Sequence, residues 1–257
     1  NRIYPSAHLA YLFNTYSSFK FAYSTRVNRP ELKMLDSYQF SSLVDTVGNP
    51  DLKPEFVDAF EVGYILIQDK YKIDLNLYHH NIKNLIQWYN DIDIVRYNNS
   101  GKGNLNGIDI MLKVSPLTFL DLTFSGNYYK SKIKNSTENY LNDNTSGGTI
   151  RGISMFKMPH GGNLEISGTY QPPKKITTGT IFPDGKITMD MAYQISLYDE
   201  RLKLTCKIIN ILDSDTYKQN IIQTEDDGNI YSIDSYRKYN NQTFYITIQY
   251  KFGNITM

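Results

Sequence analysis

The sequence predicts an all-β protein, an antiparallel meander of about 11 long strands that belongs to a transmembrane β-barrel. Apolar and polar residues alternate along most of the chain, as expected of strands, because successive side chains of a strand point to opposite faces. Short and long connections between the alternating segments follow one another in turn. The 3.6-residue period of an amphipathic helix is not sustained over any comparable stretch.

The alternating segments can be placed in order along the chain. The predicted strands begin near Ser6, Ser17, Glu55, Tyr71, Asn98, Thr118, Ile150, Asn163, Lys186, Arg201 and Tyr236. The terminal strand is the clearest, and its apolar stripe consists of Phe244, Ile246, Ile248, Tyr250 and Phe252. The segment near Ile150 is ambiguous, because two stripes of opposite parity compete there. One stripe is Gly152, Ser154, Phe156 and Met158, and the other is Arg151, Ile153 and Met155.

The connections between these segments come in two sizes. Five have hairpin length and carry turn-forming or polar residues, at positions 15–18, 68–71, 115–118, 159–162 and 198–200. Five are long, at positions 30–54, 87–97, 132–149, 172–185 and 213–234. Because the two sizes alternate, each strand is expected to run antiparallel to its neighbour, with the tight turns at one rim and the long loops at the other.

The length of the stripes favours a membrane barrel over a soluble sheet. Most have about 10 residues, which suits a tilted strand that crosses a bilayer, whereas soluble strands average about five or six. Aromatic residues near stripe ends, such as Tyr64, Tyr128 and Tyr193, match the interfacial girdles of such barrels. A general preference of tyrosine for strands is the alternative explanation. Bacterial single-chain barrels have an even number of strands, so an odd count predicts that the chain is part of a larger barrel.

The composition excludes several other classes of protein. Among the 257 residues, 27 Lys and Arg balance 26 Asp and Glu, which leaves no basic footprint for nucleic acid. One cysteine excludes a disulfide-stapled scaffold. The longest apolar run, at positions 62–67, is far shorter than the roughly 20 residues of a membrane-spanning helix.

Three motifs carry a resemblance to a known family. The octapeptide from Gly48 to Glu55 resembles the Gly-Asn-Pro-x-Leu-x-Pro-Glu motif of TonB-dependent outer-membrane receptors. Its matching residues are Gly48, Asn49, Pro50, Leu52, Pro54 and Glu55. The stretch Asn210-Ile-Leu-Asp213 and the ending Tyr250-Lys-Phe-Gly-Asn254 are similar to segments near the end of those barrels. The two prolines of the octapeptide fix φ and oppose helix formation, so we interpret the octapeptide as a structural element that begins a strand.

The resemblance implies a particular architecture and topology. Receptors of this family have 22 strands, both chain ends in the periplasm, short periplasmic turns and long extracellular loops. Residues 1–257 then correspond to the C-terminal half of the barrel domain, and the plug, energy-coupling box and N-terminal strands have no counterpart among them. The implied partners are outer-membrane lipid, a small-molecule or oligomeric nutrient, and TonB acting through the plug.

Candidate ligand-binding residues lie in the long connections, because binding residues concentrate on loops held by a rigid scaffold. Trp88, Tyr89 and Tyr97 are flat amphipathic side chains near the tip of one such loop. Membership of the outer aromatic girdle is an equally good interpretation of all three. Arg201, Lys203 and Lys207 are expected to face the barrel interior, where they suit either an anionic substrate or an acidic plug.

No catalytic or metal-binding constellation is recognisable in the sequence. Adjacent His79 and His80 should point to opposite faces of a strand, so they cannot chelate one ion together. Cys206 lies on an apolar stripe, and we expect it to face lipid. The acidic tract at positions 225–229 lacks the spaced carboxylates of a calcium loop. The sequence therefore predicts no enzymatic activity, no cofactor and no metal site.

The function that the resemblance implies is binding and TonB-dependent import of a scarce nutrient across a Gram-negative outer membrane. The nutrient class stays open among a siderophore, a cobalamin, a peptide and a glycan. A barrel that does not transport, such as an adhesin or an assembly or secretion component, is the main alternative. A soluble β-sandwich binding module is a third possibility, and it requires the apolar stripes to meet in a core.

Overall fold

The computed structural model describes residues 3–37, 45–91, 94–135, 143–176, 179–224, 230–239 and 241–253. These residues form 16 strands and two very short helical turns. The strands are β1 (Ser6–Leu12), β2 (Ser17–Asn28), β3 (Asp45–Val47), β4 (Glu55–Gln68), β5 (Tyr71–Asp91), β6 (Ile94–Leu117), β7 (Leu120–Asn135), β8 (Asp143–Lys157), β9 (Gly162–Gln171), β10 (Lys174–Ile176), β11 (Gly179–Ile181), β12 (Lys186–Leu197), β13 (Leu202–Ile209), β14 (Thr216–Thr224), β15 (Ile230–Lys238) and β16 (Thr243–Tyr250). The α-helix α1 spans Leu32–Leu35, and a 3-10 turn spans Pro159–Gly161.

Eleven of these strands follow one another across the sheet in chain order, in the part of the chain that the structure describes. They are β1, β2, β4, β5, β6, β7, β8, β9, β12, β13 and β16. Antiparallel pairing joins β1 to β2, β8 to β9, β9 to β12, β12 to β13 and β13 to β16. The predicted meander of about 11 strands is confirmed.

The long connections contain more structure than the sequence predicts. The segment Ile230–Lys238 is not the start of the last long strand, as predicted near Tyr236, but forms β15, which pairs with β14. The strand order β8, β10, β11, β14, β15 forms a second branch of the sheet. Polar cross-strand contacts stabilise its outer hairpin, where the Asn220 amide donates to Ser232 Oγ at 3.0 Å and to Asp234 Oδ1 at 2.8 Å. These strands lack a long apolar stripe, which is why the alternation does not reveal them.

Two other strands begin earlier in the chain than the sequence predicts. The strand predicted near Asn98 begins at Ile94, and the strand predicted near Ile150 begins at Asp143. The strands β5 and β6 have 21 and 24 residues. A bilayer needs only about 9 to 11 residues per strand, so these two strands are about twice as long as a membrane crossing requires.

The tight turns lie where the sequence places them. Tyr198, Asp199 and Glu200 have φ values of 53°, 49° and 63° in the turn from β12 to β13. In the first hairpin, Asn14 Oδ1 accepts hydrogen bonds from the backbone N–H groups of Tyr16 and Ser17, both at 2.8 Å. Asparagine side chains often stabilise turns in this way, because they mimic a backbone acceptor.

The chain divides into two compact units. The first comprises Asn1–Tyr64, Asn76–Ile108 and Tyr129–Ser146. The second comprises Ile65–Leu75, Asp109–Tyr128 and Gly147–Met257. The assignment of residues 1–257 to a single barrel domain stays a prediction.

Apolar side chains are exposed rather than gathered in a core. Within the described residues, Leu52 and Ala59 are the buried hydrophobic side chains. The accessible surface is 17889 Å², whereas a compact soluble protein of this mass exposes roughly 12,000 Å². Three apolar side chains illustrate this excess of exposed surface: Phe124 is 48% exposed, Phe244 is 59% exposed and Ile248 is 69% exposed. No helix within the described residues is long and apolar enough to cross a membrane.

Candidate functional site

Strand register divides the second unit into an apolar face and a polar face. Residues directly opposite each other on antiparallel neighbours share a face. Three rows of opposite residues cross β9, β12, β13 and β16, and a fourth crosses β12, β13 and β16. The apolar rows are Ile166, Met191, Ile208 and Phe244, and Leu164, Tyr193, Cys206 and Ile246. The polar rows are Asn163, Gln194, Thr205 and Thr247, and Ser196, Lys203 and Gln249.

The same register decides between the two stripes that compete in β8. Phe156 lies opposite Leu164, and Ser154 lies opposite Ile166, so both belong to the apolar face. Arg151, in contrast, lies opposite Thr169. The apolar face of β8 therefore carries the stripe of Gly152, Ser154 and Phe156.

The three aromatic residues predicted to contact ligand lie in strands rather than at a loop tip. Trp88 and Tyr89 belong to β5, which continues to Asp91. Tyr97 belongs to β6, where its side chain is half-buried and its backbone oxygen accepts a hydrogen bond from the Asn49 amide at 3.1 Å. The predicted loop is thus replaced by an extended hairpin, because β5 and β6 keep pairing beyond their apolar segments. Their role in ligand binding stays a prediction.

The octapeptide motif begins with two backbone contacts to α1 and its C-terminal end. Gly48 N–H donates to Asp36 O at 2.8 Å, and Asn49 N–H donates to Met34 O at 2.7 Å. A Cβ atom on Gly48 would lie 2.3 Å from Asp36 O, so only glycine permits this approach. The sequence shows the motif, but no local pattern in it indicates these partners.

The middle of the motif is held by the side chain of Asn99, which belongs to β6. Asn99 Oδ1 accepts from Lys53 N–H at 2.6 Å, while its amide donates to Lys53 O and to Asn84 O, both at 2.8 Å. Asn84 has a φ of 55°, a left-handed conformation that asparagine tolerates, and its backbone oxygen is the one that Asn99 contacts. Leu52, which is 8% exposed, anchors the motif between its prolines Pro50 and Pro54.

Glu55 ends the motif as a buried carboxylate with two hydrogen-bond donors. Its Oε2 accepts from the Asn28 amide at 2.7 Å, and its Oε1 accepts from Ile86 N–H at 2.7 Å. The side chain is 9% exposed, and a buried carboxylate is tolerated only when such donors replace water. Glu55 thereby ties the start of β4 to β2 and β5.

The second motif forms a similar polar cluster around Asn210, which follows β13. Asn210 is 2% exposed and has a φ of 53°. Its backbone N–H donates to Asp190 Oδ1 at 2.9 Å, and its side-chain amide donates to Asn241 Oδ1 at 2.7 Å. Its Oδ1 accepts from Ser214 N–H at 3.1 Å. Asparagine suits this position because it tolerates a left-handed conformation and offers both a donor and an acceptor.

Asp215 extends this cluster to Lys186, the first residue of β12. Lys186 Nζ lies 2.9 Å from Asp215 Oδ1, and the Asn241 amide donates to Asp215 Oδ2. The hydrogen bond from Lys186, aided by the Asn241 amide and by the positive charge of Lys186, lowers the pKa of Asp215, although partial burial opposes the shift. Asp215 lies between β13 and β14, so this ion pair fastens the connection that leads to the outer hairpin.

Because the pKa of Asp215 is lowered in the folded state, the ion pair stabilises the protein fully above the ordinary carboxyl pKa. The contribution should be lost as pH falls through the lowered pKa. We expect the protection of the Thr216 and Tyr217 amides against hydrogen exchange, relative to the intrinsic rate at each pH, to fall on acidification below about pH 4. In Asp215→Asn, this protection should be low already at neutral pH and should not fall further. Equal pH profiles in the two proteins would contradict the assignment.

A basic pocket lies on the polar face beside the turn from β12 to β13. It has a volume of about 270 Å³ and includes Arg201, Lys203 and Lys251 together with Glu200. Arg201 O also accepts a hydrogen bond from Lys251 N–H at 2.8 Å, which holds the end of the chain against the turn. Phe252 follows β16 instead of belonging to the terminal strand, because β13 offers no partner beyond this point. Lys207, further along β13, lies opposite Tyr245 on the same polar face.

The two adjacent histidines point to opposite faces of β5, as predicted. His79 Nδ1 lies 2.7 Å from Asn106 Oδ1, and its ring lies 6.4 Å from the ring of Phe60. His80 lies on the polar face, where its Nε2 is 3.9 Å from Glu61 Oε1 and its ring lies 5.2 Å from Tyr78. No group of three metal-binding side chains occurs within the described ranges. The acidic tract at positions 225–229 lies outside them.

Long strands with one apolar and one polar face, and with almost no buried apolar core in the described residues, define a β-barrel protein of the outer membrane. The model of the outer membrane protein beta-barrel family matches residues 1–250, and the chain belongs to this family. Its location in the outer membrane follows, so the apolar face contacts lipid and the polar face lines the barrel interior. Among curated proteins, none matches the chain.

Among the solved structures with a similar fold are two receptors and an outer membrane transporter. The siderophore receptor PirA from Pseudomonas aeruginosa has a TM-score of 0.61 and 16% identity, over 82% of this chain and 36% of that protein. A mutant of the ferric enterobactin receptor PfeA from the same organism has a TM-score of 0.64 and 16% identity, over 82% and 35%. The outer membrane transporter YddB from Escherichia coli has a TM-score of 0.60 and 17% identity, over 93% and 39%. The chain therefore spans little more than a third of these proteins, and the predicted receptor-barrel fold is confirmed.

Proposed function

We propose that the chain is part of an outer-membrane receptor that captures a scarce nutrient and imports it with energy supplied through TonB. The observation that carries this proposal is the two-faced sheet, whose fold is similar to siderophore receptors. A polar inner face provides hydroxyl, amide and cationic groups along a path through the membrane. The nutrient is a siderophore, a cobalamin, a peptide or a glycan. Ferric siderophores are the first to test, because PirA is a siderophore receptor and PfeA is a ferric enterobactin receptor.

In this proposal the barrel binds its ligand and catalyses no reaction. Aromatic contacts to the ligand come from the outer end of the β5–β6 hairpin, from Trp88, Tyr89 and Tyr97. Tryptophan and tyrosine suit this role because their rigid side chains lose little conformational entropy on binding. The two polar clusters around Glu55 and Asn210 hold the beginnings and ends of strands in place. They are positioning elements, because their donors and acceptors are already paired within the chain.

The basic pocket around Arg201 and Lys203 has a different role in this proposal. It lies beside a tight turn, and tight turns of outer-membrane barrels face the periplasm. A ligand arriving from outside meets the opposite rim first. We therefore assign the pocket to contact with an acidic surface of the plug, and residues 1–257 to the barrel domain that surrounds it.

The experiment that tests the function measures uptake by cells that carry the full-length protein. Radiolabelled ferric siderophores, cobalamin, peptides and glycans are offered to cells with and without TonB. Accumulation of one nutrient that requires both the receptor and TonB is the expected result. Binding of a ligand without any TonB-dependent uptake would contradict transport and would instead favour the adhesin or assembly role.

Once the nutrient is identified, Trp88→Ala should weaken its binding about tenfold or more, because buried aromatic anchors often contribute about 2 kcal/mol. The matched control is Tyr128→Ala, which removes an aromatic side chain from the apolar stripe of β7. The affinity of the Tyr128→Ala variant for the nutrient should stay unchanged. Binding is measured on intact cells. Equal amounts of folded protein are verified by electrophoresis, in which an unheated folded barrel migrates differently from the heat-denatured chain. Unchanged affinity in Trp88→Ala would assign this residue to the aromatic girdle.

A further inference from the structure

A branch of the sheet in the second unit has one apolar face and one polar face. Register defines three rows of opposite residues across β10, β11, β14 and β15. The middle row is Lys175, Thr180, Asn220 and Asp234, and the rows on either side are Ile176, Gly179, Ile221 and Ile233, and Lys174, Ile181, Gln219 and Ser235. Neighbouring rows alternate between faces, so the four isoleucines share the face opposite the polar middle row. We call the side that carries Ile176, Ile181, Ile221 and Ile233 the isoleucine face.

The contacts of Lys186 show that the isoleucine face is turned to the barrel interior. Lys186 and Gln194 are eight residues apart in β12, so both belong to the polar face that lines the interior. The Lys186 ammonium group lies 4.8 Å from the centre of the Phe182 ring, and this ring lies 5.7 Å from the ring of Tyr217. Tyr217 is four residues before Ile221 in β14 and therefore belongs to the isoleucine face. The isoleucine face thus continues the polar inner face of β12.

The apolar side of the sheet is therefore reversed relative to the membrane-spanning strands. In β13 and β16 the apolar residues face lipid, whereas in β14 and β15, which lie between them in the chain, the isoleucines face the interior. Each of the four outer strands supplies only one isoleucine, so no single strand shows a stripe. The face is accessible, since Ile233 is 46% exposed and Tyr231, on the same side of β15, is 47% exposed. An exposed apolar patch outside the membrane indicates an interaction site.

Gly179 leaves a gap in the middle of the isoleucine face. It lies between Ile176 and Ile221 in their row, and its φ is 151°. A Cβ atom at this position would collide with the backbone oxygen of Asn220, so only glycine fits. A gap between branched aliphatic side chains suits an alkyl chain, because the chain can contact carbon atoms on both sides.

Two cations border the isoleucine face. Lys174 lies in β10, and Arg237 lies in β15 opposite Tyr217. Neither forms an ion pair within the part of the chain that the structure describes, whereas Lys218, on the opposite face, lies 2.8 Å from Asp184. A ligand that is complementary to this surface must therefore combine an apolar body with a negative charge.

We infer that the isoleucine face binds the aliphatic part of an anionic amphiphile and that Lys174 and Arg237 attract its acidic group. This inference rests on the proposed function and names the chemical class of the nutrient. A siderophore or a peptide that carries an aliphatic chain and an acidic group has this chemistry, and a neutral glycan does not. The site lies at the rim opposite the tight turn between β12 and β13, where a ligand from outside arrives first.

The test measures the binding of dansylaminoundecanoate, a fluorescent fatty acid, to the full-length protein in lipid nanodiscs, with empty nanodiscs as the blank. A saturable increase in fluorescence is expected. Dansylglycine, which lacks the aliphatic chain, should bind at least about tenfold more weakly, because it buries much less apolar area. The methyl ester of the fatty acid, which lacks the negative charge, should bind about fivefold more weakly.

Adjacent residues on opposite faces provide matched variants. Ile181→Asn should weaken binding of dansylaminoundecanoate about tenfold, because it removes an aliphatic side chain from the isoleucine face. Thr180→Asn, on the polar face of the same strand, should leave the affinity unchanged. Lys174→Gln should weaken binding about fivefold, whereas Lys175→Gln removes the same charge from the other face and should have no effect. The folded state of each variant is verified by electrophoresis with and without heating.

Three outcomes would overturn the inference. They are equal weakening by Ile181→Asn and Thr180→Asn, equal affinity for the fatty acid and its methyl ester, and a wild-type protein without saturable binding, which would mean that another part of the receptor covers the isoleucine face. TonB-dependent uptake of a nutrient by such a protein would leave the proposed function intact. Binding that depends on Ile181, in a protein without TonB-dependent uptake, would support the site and contradict transport.

Discussion

Replacing Leu204 with arginine is expected to destabilise the protein in a membrane by about 2 to 4 kcal/mol, the cost of a cation on the lipid face near the bilayer midplane. Leu204 lies in β13 opposite Ile195 on one neighbour and Ile248 on the other, so its side chain points to the apolar face. The free energy of unfolding is measured by urea titration of the full-length protein refolded into lipid vesicles.

The matched control is the next residue in the same strand. Thr205 lies opposite Gln194 and Thr247 on the polar face, where an arginine can remain hydrated. Thr205→Arg should therefore change the free energy of unfolding by less than about 1 kcal/mol. Similar costs for the two variants would contradict the assignment of the faces.

Glu55→Ala is expected to reduce the free energy of unfolding by about 2 to 5 kcal/mol. The substitution leaves Ile86 N–H and the Asn28 amide without their acceptor, and a partly buried donor that loses its acceptor costs about 1 to 3 kcal/mol. Amide exchange at Ile86 should accelerate together with the loss of stability, because its hydrogen bond to Glu55 is removed.

Two controls distinguish this role from a general effect of charge. Glu55→Gln keeps a carbonyl oxygen that can accept from Ile86 N–H, so it should lose less than half as much stability. Glu61→Ala removes a carboxylate from the same face of β4, where its Oε1 lies 3.9 Å from His80 Nε2, and should cost less than about 1 kcal/mol. A loss in Glu61→Ala as large as in Glu55→Ala would show that the hydrogen bonds of Glu55 are unimportant.

The alternation of side chains was sufficient to predict the strands that cross the membrane. In the terminal strand, for example, Phe244, Ile246 and Ile248 alternate with Tyr245 and Thr247, and the register places the two sets on opposite faces. Lipid imposes this pattern, because an apolar residue on one face and a polar residue on the other are needed at every step. The sequence did not predict the hairpin of β14 and β15, because strands outside the lipid need no apolar stripe and so show no alternation.

The partners of the two motifs were decided by the tertiary structure. The sequence alone identified the octapeptide by resemblance, but Glu55 contacts Asn28 and Ile86, which are 27 and 31 residues away. It likewise left the face of β8 open until Phe156 was found opposite Leu164. Local sequence determined which residues alternate, because that depends only on strand geometry and the membrane. Which buried donor meets which acceptor depended on how distant strands pair, and no local pattern encodes that register.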